Sequence, residues 1–307
     1  MRTQKFKVAT AILLALIVII IISCKTKFDT TKNSFTATKS PEALERGKVL
    51  AYSICAGCHY DRSVHKFIGT QIHEIPGIIG KVYSANLTRS KTHGIPPHYS
   101  DAEIKYLLKT GVAKDGRFLN YMLRPNMSDE DINAIIVYLR SDDPAVAATD
   151  TTIGLTHFNL IGKTVMGAMA KPIPYKDGIK TPAESDAITT GKYLVDNLGC
   201  FHCHSKSLKS LDLTVPEQTK GYMAGGQKFE SPAGEKIYAS NITPDKQTGI
   251  GTYSKNQFLK ALKDGEAPKG KLHPPMPKFD KLKDSEIDAI YAYIQTIPPV
   301  DHKIEGH

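Results

Sequence analysis

Two short stretches, YSANLT at 83–88 and YASNIT at 238–243, begin a pattern that the chain writes twice. Eight residues after each Asn stands a Gly-Ile pair, Gly94-Ile95 and Gly249-Ile250. The first copy takes one extra residue before Tyr99-Ser100, which answers Tyr253-Ser254. Twelve residues past each Tyr lies a glycine (Gly111, Gly265), five further a second (Gly116, Gly270), and six further a methionine (Met122, Met276). Upstream, each copy carries CxxCH, as Cys55-Ala-Gly-Cys58-His59 and Cys200-Phe-His-Cys203-His204. One insertion aligns this whole span, so the two copies are expected to share one architecture.

The 307 residues suffice for two cores, and 41% hydrophobic with 23% charged residues describes an ordinary globular chain. Ser40-Pro41 opens a helix that leads into the first CxxCH. Tyr193, Leu194 and Leu198 mark its counterpart before the second. Ser128 followed by Asp129, Glu130 and Asp131 caps a closing helix with the apolar face Ile132, Ile135, Ile136 and Leu139. Asp284 and Glu286 precede Ile287, Ile290, Tyr291 and Ile294 in the same role. Shorter helices are predicted from Ser100 to Thr110 and from Ser254 to Asp264. Alternating strand-like runs are scarce, so the expected class is all-α. The repeat sets the expected units at 41–147 and 185–300, joined by a Thr-, Gly-, Pro- and Lys-rich strap at 148–184 and followed by a tail at 301–307.

A CxxC pair alone fits a redox dithiol, a disulfide or half of a zinc site. A four-thiolate zinc site places its pairs about 15–20 residues apart, whereas Cys55 and Cys200 are separated by 145 positions. A thioredoxin-like dithiol needs a βαβ setting that is missing here. The His directly after the second Cys selects covalent haem: the thiols of Cys55, Cys58, Cys200 and Cys203 bond two haem c groups, and His59 and His204 are the proximal iron ligands. Methionine opposite histidine is the common sixth ligand in cytochromes c. The repeat pairs Met122 with Met276, whereas Met127, aligned on the closing helices, falls on Leu282, which has no sulfur. Met122 and Met276 are therefore the expected axial ligands and Met127 a packing residue.

This order of CxxCH, N-[LI]-T, Gly-Ile and a Met before an acid-capped helix resembles class I cytochrome c domains, two in tandem. More narrowly, NITPDKQTGIGTYS at 241–254 looks like the cytochrome subunits of membrane-bound bacterial alcohol and gluconate dehydrogenases. Those subunits carry three haems, whereas this chain has two CxxCH motifs. The resemblance implies small helical domains around haem, with Asn86 and Asn241 hydrogen-bonding near each cofactor. It also implies electron transfer without catalysis, from a dehydrogenase or respiratory donor to a redox partner such as a terminal oxidase. A dihaem peroxidase with one open iron is the alternative.

The amino terminus bears on location. Basic residues up to Lys7 precede an apolar run from Val8 to Ile22, shorter than the roughly 20 residues of a spanning helix and suited to an export signal. Ile21-Ile22-Ser23-Cys24 looks like a bacterial lipobox, which implies a signal peptide at 1–23, acylation of Cys24 and a flexible tether at 24–40. The chain is thus expected on the periplasmic side of a membrane, anchored by lipid. Three of the +9 charges lie in the signal, which leaves +6. Four haem propionates bring this to about +2. No basic run interleaves with aromatics, and nucleic acid is excluded as a partner. His202, His65, His73, His93 and His98 are expected at the surface, and Met166 and Met169 as docking contacts in the strap.

Overall fold

The Oγ of Ser40 accepts the N–H of Ala43 at 3.0 Å and Pro41 occupies the first turn, so a helix, α1 (Pro41–Leu50), begins where the sequence places it. The computed structural model describes residues 34–304 apart from 74, 76, 152, 170 and 231–235. The apolar run at 8–22, Cys24 and most of the tether lie outside the described residues. Among those described, no helix is long and apolar enough to cross a membrane.

Among the described residues six further helices of eight or more residues follow: α2 (Asp101–Thr110), α3 (Asp129–Leu139), α4 (Leu160–Met169), α5 (Ala187–Leu198), α6 (Lys255–Asp264) and α7 (Asp284–Ile294). The protein is helix-rich. Its strands, among the described residues, are three antiparallel pairs of two or three residues each. The middle helices α2 and α6 start one residue later than expected, because Ser100 and Ser254 are N-caps. Each accepts the N–H of the third helical residue, Glu103 or Gln257, whose side chain reaches back to the cap.

Helix α1 packs on α3, and α5 on α7, through the same contact. A Cβ on Gly47 would lie 1.9 Å from the carbonyl oxygen of Ala134, and one on Gly191 would lie 1.9 Å from that of Ala289. Two cores result. One gathers Leu50, Phe67, Met127, Ile132, Ile136 and Tyr138. The other gathers Leu194, Phe201, Met223, Leu282, Ile287 and Ile290.

The copies differ at their CxxCH motifs. In the first, the chain runs from α1 through a π turn, Ala51–Cys55, into Ala56–His59 without a break. In the second, Gly199 turns left-handed (φ 76°) and ends α5 before the short helix Cys200–Cys203, so this motif starts a helix instead of ending one.

Polar contacts join the two. The Tyr193 hydroxyl donates to the buried Asp131 carboxylate at 2.7 Å and accepts the Ser128 N–H at 3.1 Å. Arg46 pairs with Asp131 of its own copy at 2.8 Å and with Glu286 of the other. The connecting strap is fastened to copy one. Tyr175 stacks on Tyr106 with centroids 5.6 Å apart, Lys105 bridges Asp177 at 2.6 Å and Asp129 at 3.0 Å, and the Asp129 N–H donates to Ile179 O at 2.9 Å. Helix α4, with Met166 half-buried, rests on residues 77–79, where Gly162 lets the backbones meet.

Candidate functional site

The imidazole of His59 is held by its neighbours on both sides. Its Nδ1 lies 2.7 Å from the carbonyl oxygen of Ala85, and the His59 carbonyl accepts the N–H of Gly69 at 2.9 Å. The second copy repeats both bonds: Nδ1 of His204 lies 2.8 Å from Ser240 O, and Gly225 N–H donates to His204 O at 2.8 Å. A carbonyl can only accept, so in each ring Nδ1 carries the proton and Nε2 the lone pair. Burial pushes the His59 pKa down and outweighs the Ala85 bond, which keeps the ring neutral. A neutral imidazole whose Nδ1–H is tied to a backbone carbonyl is the form in which histidine binds metals.

Asn86 and Asn241, expected near a cofactor, direct both ends of their amides into the protein backbone. Their Oδ1 atoms accept the N–H groups of Thr88 and Thr243, at 2.8 and 2.9 Å. Their Nδ2 groups donate to Thr149 O and Val300 O, at 2.9 and 2.7 Å. They tie the segment carrying Ala85 or Ser240 to the end of each copy, and so hold the carbonyl that orients the histidine.

Cys55 and Cys200 are half-buried and Cys58 is exposed, and no disulfide joins the described cysteines. Burial pushes the Cys55 thiol up to about 11 against the opposing charge of Arg124, and the Cys200 thiol up to about 12. Both are protonated at neutral pH. Among the described residues no three His, Cys, Asp or Glu side chains gather as a metal-holding group.

Met122 and Met276 are half-buried, each packed against the same core as the first cysteine of its motif. Met127 and Leu282 are 0% and 1% exposed, deep in the two cores. They are equivalent by hydrogen bonding as well, accepting positions aside: Met127 N–H donates to Arg124 O at 3.1 Å and Leu282 N–H to Phe279 O at 3.2 Å. His65, His73, His93 and His98 are exposed, as expected.

His202 corrects an expectation. It is half-buried, with its ring against Phe201 at 4.5 Å, and its pKa is pushed down to about 3 by burial first and then by the Arg124 charge. Arg124, from copy one, thus acts on both motifs, and nothing in the repeat singled it out. The Ala85 and Ser240 carbonyls were also missed. Their place before each Asn recurs in the repeat, but a backbone acceptor leaves no side-chain signature.

Comparison with known proteins agrees with the resemblance carried by residues 241–254. The chain is 28% identical over 271 residues to the fructose dehydrogenase cytochrome subunit of Gluconobacter japonicus, covering 83% of this chain and 53% of that protein. It is 26% identical over 262 residues to the cytochrome c subunit of quinone-dependent alcohol dehydrogenase from Gluconacetobacter polyoxogenes, covering 80% and 54%. A shorter match, 38% identical over 116 residues, covers 36% of this chain and 23% of the gluconate 2-dehydrogenase cytochrome c subunit of Pantoea cypripedii. The chain spans about half the length of the first two relatives. No family model matches it.

Proposed function

We propose that this chain is a dihaem c-type cytochrome, built as two class I cytochrome c domains, that passes electrons singly between a membrane-side dehydrogenase or respiratory donor and an acceptor. In this reading Cys55 and Cys58 hold one haem c by thioether bonds and Cys200 and Cys203 hold the other. His59 and His204 are the proximal ligands, and Met122 and Met276 the sixth ligands. The observation that carries it is the histidine clamp built twice, with Nδ1 2.7 and 2.8 Å from Ala85 O and Ser240 O.

Bound haem iron supplies a one-electron couple. The residues of this chain do the rest. The Ala85 and Ser240 carbonyls fix the proton on Nδ1 and so leave the ligating lone pair on Nε2. The Asn86 and Asn241 amides hold those carbonyls in place. With haem bound, the soft thioether sulfurs of Met122 and Met276 would favour the ferrous state and raise the potential relative to ligation by two histidines.

The named relatives are cytochrome subunits of dehydrogenase complexes, which supports a dehydrogenase partner and a carrier role, and favours both over the peroxidase. Co-purification in mild detergent identifies the partner. Pyridine haemochrome analysis of denatured, acid–organic-extracted protein tests the cofactor: two haems per chain are expected, and one after replacing Cys200 and Cys203 by Ala. A single haem in the unaltered protein overturns the reading. Export and lipid attachment through Cys24 rest on the sequence. A Cys24→Ala chain should lose incorporation of labelled fatty acid, and undiminished label would refute the anchor.

A further inference from the structure

Arg124 breaks the symmetry of the repeat. Its N–H donates to Leu108 O at 2.6 Å and its carbonyl accepts from Met127 N–H at 3.1 Å. In the second copy Phe279 makes the same pair of bonds, to Leu262 O at 2.8 Å and from Leu282 N–H at 3.2 Å. Counting from the methionines sets Arg124 opposite Lys278, an exposed residue, but the hydrogen-bond register sets it opposite Phe279, a core residue only 4% exposed. A guanidinium therefore stands where the other copy has an aromatic ring.

The group is under-satisfied. One Nη donates to the carbonyls of Leu123 at 2.6 Å and Tyr121 at 3.2 Å, while Nε is buried and has no hydrogen-bond partner among the described residues. It stands two residues after Met122, which packs with Cys55 against the first core; burial pushes its pKa down against the pull of the Cys55 and Cys58 thiols, and its charge reaches His202 in the second CxxCH. The segment that carries it is fixed against copy two, since Asn126 Nδ2 donates to Thr214 O at 3.2 Å and Ser128 N–H to the Tyr193 hydroxyl at 3.1 Å. An uncompensated cation with an unused N–H beside a cysteine pair costs stability in the bare chain. A group bearing carboxylates, as haem does, would satisfy both needs, so the residues present fit the proposed cofactor.

We propose that Arg124 is a positioning residue that makes the two haem sites electrostatically unequal, holding the first haem at a higher reduction potential than its charge-free environment would give and so setting the order in which the pair is reduced. The inference rests on the dihaem reading. A fixed positive charge disfavours the oxidised, more positive iron, and in a site shielded from water that effect is little screened. The second site has Phe279 at the matching position and no guanidinium of its own, and the Arg124 charge reaches it only as far as His202, at the variable position of its motif. An electron shared by the pair therefore resides preferentially in copy one.

The test is a potentiometric titration of the whole chain and its Arg124→Gln and Arg124→Lys variants, each first counted for haem by pyridine haemochrome. A chain without haem would sink the dihaem reading and this inference together. With two haems present, Arg124→Gln should lower the first haem's midpoint more than the second's, while Arg124→Lys, which keeps the charge, should restore most of the shift. In the chain lacking Cys200 and Cys203, which retains only the first haem, Arg124→Gln should lower the remaining midpoint. If Arg124→Gln fails to bind haem, Arg124→Lys and Arg124→Met supply the charged and uncharged pair. Equal midpoints in charged and uncharged variants with haem intact would overturn the inference alone.

Discussion

Gly47 and Ala134 meet so closely that a Cβ on the glycine would lie 1.9 Å from the alanine carbonyl oxygen and 2.8 Å from Tyr138 Cβ. Gly191 meets Ala289 and Tyr293 at the same two distances. Each crossing brings the helix that precedes CxxCH against the closing helix of its copy. The contact is backbone to backbone, so no side-chain rotation relieves it.

Gly47→Ala and Gly191→Ala should therefore both destabilise. In an open helix interior the change gains up to about 1 kcal/mol. Here overpacking should reverse the sign, with a loss of about 1–3 kcal/mol. Denaturant unfolding of each variant measures it, and a variant as stable as the parent would show that the helices separate at little cost.

Tyr193→Phe removes the hydroxyl that joins the copies. Asp131, 3% exposed, loses a donor at 2.7 Å, and the Ser128 N–H loses an acceptor at 3.1 Å. The expected loss is about 1–3 kcal/mol. A double-mutant cycle with Asp131→Asn should show coupling between the pair. Additive effects would mean that the bond contributes nothing across the interface.

Asp196 should make stability fall as pH rises. Its carboxylate is buried, with Oδ1 unpartnered among the described residues, and burial pushes its pKa up from 3.8 to about 6 in spite of Lys192 at 2.8 Å. Between those values the folded chain holds a proton that the unfolded chain has released, so stability is lost across that window. Asp196→Asn should be more stable above about pH 6, by at most about 3 kcal/mol, and should match the parent below about pH 4. Thermal unfolding across this range checks it, and a constant difference at every pH would exclude the carboxylate as its cause.

Met122 and Met127 should respond differently. Met127 occupies a fully buried position that Leu282 fills in the other copy, so Met127→Leu should leave the far-red Fe–Met absorption intact. Met122→Ala should abolish the first haem's share of that absorption and allow ferrous protein to bind carbon monoxide. The reverse pattern would exchange the two assignments. Brisk peroxide turnover by the unaltered protein would instead support the peroxidase.

Features whose determinants are local were legible in the sequence. Ser40 and Ser128 stand at the helix starts read from them, and Ser100 and Ser254 mark theirs to within one residue, because the cap bond spans three residues and depends only on nearby side chains. The doubled CxxCH and the recurring methionine spacing named candidate ligands for the same reason. What the tertiary structure decided depends on groups far apart in sequence or on the backbone itself. The Ala85 and Ser240 carbonyls orient the histidines, yet every residue carries a carbonyl, so no residue type marks them. His202 is half-buried against Phe201 and feels the charge of Arg124 from copy one, and the strap is fastened where Lys105 meets Asp177 and Tyr106 meets Tyr175, each pair some 70 positions apart. Arg124 was hidden by a one-residue difference between the methionine and the closing helix of each copy. Side-chain spacing counts along the chain, whereas the backbone bonds that the Leu108 and Leu262 carbonyls accept establish that a guanidinium and a phenyl ring occupy the same place.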